Sequence, residues 1–291
     1  MKIGVSSYSY WRLVSSGAME QIAVIGAAKD QGFEVIEFST IKVPEGKSLA
    51  DYAAELRAES DRVGLPIANY TIGADFLRGS GGDLAAEIER VKAEVDIAEI
   101  LGAPGMRHDA TGGYPADHVG PRSFDSAVAR LAEGCRAVTE YAATKGIRTM
   151  VENHGYFCQD SERCEKLVNA VAHENFGLLV DMGNFTCADE DPTLAIGRLA
   201  PYAIHAHAKD FHIRSGERPA PGEGWFPSRA TNYLRGAIIG HGDVPLVQCI
   251  RTLRRNGYDG VLSIEFEGME DVLNGIRIGR DNLLRLVAMA G

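Results

Sequence analysis

Short runs with the residue preferences of β-strands alternate with longer segments of helical periodicity along the whole chain, and this alternation leaves few folds open. Eight strand candidates fall at 2–7, 33–38, 66–71, 105–108, 147–152, 176–181, 204–209 and 260–266, each followed by a helical stretch. The clearest helix covers 83–101, where Leu84, Ile88, Val91, Val95, Ala98 and Leu101 recur three and four apart on one face. Asp83, after Gly81 and Gly82, is its expected N-cap. Further helices are predicted over 51–63, 124–144, 162–172 and 271–287. No Pro- or Gly-rich linker interrupts the series, so residues 1–291 read as a single domain, a closed (β/α)₈ TIM barrel. An open doubly wound sheet usually carries a Gly-rich phosphate loop after its first strand; here Ser6, Ser7, Tyr8, Ser9, Tyr10 and Trp11 stand in that place, which argues against nicotinamide or ATP chemistry.

One connection breaks the rhythm. After the seventh strand, 210–242 carries three prolines and six glycines without clear periodicity. Loops this long inside a barrel are usually functional or disordered. Trp225, Phe226, Tyr233 and Arg235 make it too aromatic for a plain linker, so an ordered flap over the barrel mouth is predicted.

Charge and cysteine content narrow the partners. Thirty basic and forty acidic residues give a net charge of −10, and no basic run is present to meet a nucleic-acid backbone. No apolar stretch approaches the ~18–20 residues of a membrane-spanning helix, and the first residues lead straight into a strand, so a cytoplasmic protein is expected. The five cysteines form no CxxC pair and read as reduced, structural thiols.

In such a barrel the strand C-termini converge on one face, so a polar residue closing a strand reads as part of a site. Glu152, Asp181, His207 and Glu265 come from four consecutive strands. Burying an ionised carboxylate costs several kcal/mol unless it is paired or metal-bound. Lys209 is the single base read at these strand ends, so one divalent ion is the expected counter-charge; three carboxylates and an imidazole suit Mn²⁺, Mg²⁺ or Co²⁺. His205 shares strand parity with His207 and is the alternative ligand, and Glu267 is expected on the rim.

The segments Val151-Glu152-Asn153-His154, Val180-Asp181-Met182-Gly183-Asn184, His207-Ala208-Lys209-Asp210, Gly240-His241-Gly242-Asp243-Val244 and Ile264-Glu265 together resemble the xylose isomerase-like TIM-barrel superfamily, whose sugar isomerases and epimerases are grouped with the endonuclease IV family. The resemblance implies that Glu152, Asp181, His207 and Glu265 hold one divalent metal, that Glu152 and Glu265 move the proton, and that the chain assembles as a dimer or tetramer. It departs at Asn184, where ketohexose epimerases typically carry a histidine facing the substrate.

A cation on a substrate carbonyl acidifies the adjacent C–H, and two glutamates from separated strands can remove and return that proton. The expected reaction is therefore isomerisation or epimerisation of a keto-sugar or cyclic polyol through an enediolate. Substrate contacts are expected from Glu37, His108, Asn153, His154, Asn184 and Lys209, from Trp11 after the first strand, and from Arg235 and His241 in the flap. Dehydration of an inosose or keto-sugar is the rival reaction. An abasic-site endonuclease is opposed by Asn184 and the acidic charge, and a non-catalytic sugar sensor by the intact set of acids.

Overall fold

In the computed structural model, which describes residues 1–291, eight strands pair side by side in parallel and close on themselves. They are β1 (Lys2–Ser6), β2 (Val35–Ser39), β3 (Ile67–Ile72), β4 (Gly105–His108), β5 (Arg148–Glu152), β6 (Phe176–Asp181), β7 (Ala203–Ala208) and, last in the chain, β11 (Val261–Ile264), which seals the barrel against β1 and β7. Around them lie α1 (Trp11–Ser15), α2 (Ala23–Asp30), α3 (Leu49–Val63), α4 (Leu84–Leu101), α5 (Phe124–Ala143), α6 (Ser161–Val171), α7 (Pro192–Leu199), α8 (Leu246–Arg255) and α9 (Val272–Met289). This is the (β/α)₈ TIM barrel that the alternation predicts.

Local chemistry sets the helix starts. Ser48, Asp83, Ser123, Asp160, Asp191 and Asp271 each accept a hydrogen bond from a first-turn amide that would otherwise lack a partner. Between helices and strands runs one apolar core that takes in Val5, Ile36, Leu131, Val151, Leu178, Ala206 and Leu262. The strand face turned the other way, into the barrel, is unusually polar: Glu37, Asn69, His205, His207 and Ser263 are all buried there, in place of the branched aliphatic layers common in this fold. Neighbouring strands bring Asp181 level with His207 and His207 level with Ser263, so the polar residues share layers. No helix is long and apolar enough to cross a membrane.

Two elements differ from expectation. Residues 210–242 are ordered but not aperiodic: β8 (Asp210–Arg214), β9 (Phe226–Pro227) and β10 (Tyr233–Ala237) form an antiparallel sheet in the order β8-β10-β9. Its root is fixed by the buried Asp210 carboxylate, which accepts from the amides of Phe211, Gly240, Gly242 and Val244. A Cβ on Gly242 would collide with Asp210 Oδ1, so only glycine lets the backbone approach. The last barrel strand is shorter than 260–266. At the strand's end the Ser9 hydroxyl donates to the Ile264 carbonyl and accepts from the Phe266 amide, while the Glu265 amide still donates to the Ala208 carbonyl of β7, leaving Glu265 just past the strand.

Candidate metal and proton-transfer site

Donor atoms of Glu152, Asp181, His207 and Glu265 lie within 4.8 Å of one another, and all four residues are buried. His207 Nδ1 sits in the middle, 3.8 Å from Glu152 Oε1, 3.5 Å from Asp181 Oδ2 and 3.7 Å from Glu265 Oε2. These separations are too long for good hydrogen bonds. They are the separations expected of donors sharing one ion at ~2.0–2.3 Å from each. His207 Nδ1 and Asp181 Oδ2 are also buried without any hydrogen-bond partner, an arrangement that costs free energy unless a further group completes it.

The surrounding groups orient this set. On the far side of the imidazole, His207 Nε2 donates to Glu37 Oε1 at 2.7 Å, which leaves the Nδ1 lone pair for the cluster. Glu37 Oε2 lies 2.8 Å from His205 Nε2, and that nitrogen is also 3.0 Å from Ser263 Oγ. Asp181 Oδ1 accepts from the amides of Gly183 and Asn184, each at 2.8 Å, which turns Oδ2 toward His207. Asn184 Nδ2 donates to Glu152 Oε1 at 2.8 Å, and its Oδ1 accepts from Lys209 Nζ at 3.2 Å.

The two glutamates differ electrostatically. Burial raises the Glu152 pKa despite Arg107, 2.7 Å away. Glu265 is equally desolvated, but Lys209 Nζ at 2.5 Å and the His207 ring hold its pKa well below the usual range. One carboxylate is thus the stronger base of the pair. Desolvation would lower the His207 pKa, but Glu37 and Glu265 outweigh it and raise it well above the ordinary value; a cation on Nδ1 would take the place of that proton.

Several expected contacts stand elsewhere. His108 points out of the barrel: its ring is edge-on to Phe76 at 5.7 Å and burial lowers its pKa to about 4. Strand alternation puts its neighbour Arg107 inside instead, and this second buried cation corrects the expectation that Lys209 alone offsets the acids. Glu37 has both oxygens against histidines rather than facing a substrate. Asn153 clamps β5 to β6, exchanging hydrogen bonds with the Asp181 amide and carbonyl. His205 lies a layer below the cluster, and Glu267, 3.4 Å from Lys209, is on its rim. Trp11 is half-buried at the start of α1; the Tyr8 hydroxyl has its pKa raised by burial and then by the negative charge of Glu267 and Glu265. Arg235 stacks over Trp225 in the β8-β10-β9 sheet, and His241 is exposed on the turn after β10; neither joins the cluster.

Residues 25–286 match the family model described as a xylose isomerase-like TIM barrel. The chain belongs to that family. Among relatives of this xylose isomerase-like barrel, the rhizopine catabolism protein MocC of Rhizobium meliloti is 29% identical over 224 residues, 72% of this chain and 67% of that protein. The solved structure of an L-ribulose 3-epimerase superposes with a TM-score of 0.74 at 17% identity, covering 99% of this chain and 95% of that one. The probable 3-DHS dehydratase AsbF of Bacillus anthracis gives 0.71 at 18% identity, covering 98% and 99%. Superfamily structures similar to this barrel therefore include an epimerase and a probable dehydratase.

Proposed function

We propose that this xylose isomerase-like barrel is a divalent-metal-dependent isomerase or epimerase of a keto-sugar or cyclic polyol. The observation that carries the reading is the pair of orphaned atoms, Asp181 Oδ2 and His207 Nδ1, among carboxylates from β5, β6 and the end of β11. Glu152, Asp181, His207 and Glu265 would hold the ion, a donor set suited to Mn²⁺, Mg²⁺ or Co²⁺. When bound, such an ion polarises a substrate carbonyl and acidifies the neighbouring C–H.

The protein's own groups supply the rest. Glu152, whose pKa burial raises, removes the proton, and Asn184 fixes the carboxylate's orientation through Oε1. Glu265 enters at the end of β11, three places away around the barrel, and returns a proton that it first takes up from the Lys209 ammonium beside it, with solvent exchange afterwards removing the proton from Glu152 and restoring the one on Lys209. Lys209 and Asn184 face the developing enediolate as donors. Similarity to an epimerase supports proton return; similarity to a probable dehydratase, with the Lys209 amine beside Glu265 as an acid for a leaving hydroxyl, favours elimination as the second reading. The five free, buried cysteines fit a cytoplasmic enzyme, and we take a homo-oligomer, dimer or tetramer, as its assembly.

The test is proton–deuterium exchange by NMR in D₂O, with Mg²⁺ or Mn²⁺ and a panel of ketohexoses, ketopentoses and inososes. Metal-dependent exchange beside the carbonyl with product mass conserved is the expected result. Loss of one water from the product would transfer the assignment to a lyase, and no exchange with any member would overturn the reading.

A further inference from the structure

A cavity of about 650 Å³ opens on the same end of the barrel, over the loops that follow β3, β4 and β5. Its size is within the ~300–1,000 Å³ of small-molecule sites. It joins the cluster through one buried side chain: Arg107 Nη2 lies 2.7 Å from Glu152 Oε2 and 2.9 Å from Asp109 Oδ1, and Asp109 lines the cavity with His154, two residues beyond Glu152. The cavity thus borders the Glu152 side of the cluster, with the Arg107 side chain between the two.

The lining states what it would take. One of its thirteen residues is hydrophobic, so an acyl or aromatic group has little to pack against. Every cation is matched to an acid: Arg78 to Asp75 at 2.8 Å, Arg90 to Glu87 at 2.7 Å, and His154 to Asp109 at 3.0 Å. No positive charge is left over for a phosphate or carboxylate. The paired groups nonetheless keep hydrogen-bonding capacity. Arg78 gives only Nε to Asp75, leaving its terminal nitrogens to donate, and its side chain is 45% exposed. A neutral surface dense in both donors and acceptors matches a group dense in hydroxyls.

Resting on the proton-transfer reading above, we infer that the substrate is a keto-sugar carrying a second, uncharged glycosyl ring, with the keto ring at Glu152 and Glu265 and the glycosyl ring between Arg78 and His154. Gly73 allows the cavity to be filled without disturbing the barrel. Its φ is ordinary, and a Cβ there meets only Asp109 Oδ2, at 3.9 Å.

The experiment compares D-fructose with its glucosyl derivatives turanose, leucrose and isomaltulose on the Mg²⁺-loaded full chain, reading deuterium exchange and saturation transfer to glucosyl-ring protons. At least one disaccharide should exchange with a kcat/KM tenfold or more above fructose and show saturation of its glucosyl ring. Gly73→Phe should lower that ratio tenfold and abolish the saturation; Arg78→Gln, which keeps the fold if the larger side chain does not, should lower both partially. Equal or better exchange with fructose, or no saturation of any glucosyl ring, overturns the inference. Glucosyl saturation without exchange keeps the cavity and instead overturns the proton-transfer reading.

Discussion

The two halves of the barrel mouth contain the same chemistry, carboxylates facing basic side chains, in opposite states of hydration. Over β5, β6, β7 and β11 the groups are buried and converge until two polar atoms have no partner. Over β3 and β4 the pairs Asp75–Arg78 and Glu87–Arg90 stand around an open cavity with their arginines 45% and 42% exposed. In the first half the charges are buried, where a low dielectric strengthens their mutual attraction; in the second the arginines are half-exposed, paired and screened by water. Arg107 spans the boundary, and Asp109 and Glu152 share its guanidinium.

The largest effect is expected in the closed half. Glu152→Gln or Glu265→Gln should lower exchange by roughly 10²–10⁴-fold, the usual worth of a general acid or base, and chelation followed by Mg²⁺ addition should abolish and restore wild-type exchange. Near-full activity in either variant would remove the distinction between the halves.

Next comes Arg107→Met, which strands buried carboxylates. Its side chain is only 6% exposed, so a loss of about 3–5 kcal/mol in urea denaturation is expected. Asp109 tests the boundary by pH. Burial opposes ionisation there, but Arg107 and His154 lower the pKa from 3.8 to about 2. An acid whose folded pKa is depressed stabilises above its unfolded value, so about 2 kcal/mol is present above pH ~4 and fades toward pH 2. The stability gap between wild type and Asp109→Asn should narrow over that interval. The smallest effect belongs to Arg78→Met, an exposed pair whose loss should cost no more than ~1 kcal/mol. If Arg78→Met were as damaging as Arg107→Met, the open half would be structural rather than a recognition surface.

What was legible in the sequence follows the same divide. Alternating strand and helix segments reveal the barrel because each has its own periodicity, and acids closing β5 and β6 stand out because a strand end in this fold has few other uses. Arg107 was missed and His108 chosen instead because β4 is four residues long, too short for alternation to tell inside from outside. Only its register with β5, Arg107 level with Met150, settles the matter. The β8-β10-β9 sheet was hidden because its strands are short and separated by glycines and prolines, and its pairing is set by residues distant in sequence, Arg235 opposite His212 among them. Glu37 was visible as a strand acid, but its two histidine partners come from 168 and 170 residues away, a separation no local pattern reports.

The Asp210 staple has a consequence for how such a barrel can be altered. Residues 214–224, at the far end of the β8-β10-β9 sheet, are all exposed, whereas Asp210 immediately follows Lys209 and ties four amides at the root. Between Gly216 and Gly224, whose close approach to Thr231 and Met269 needs glycine, the projecting tip is therefore a graftable module: its length and composition can be exchanged while the amine beside Glu265 stays in register.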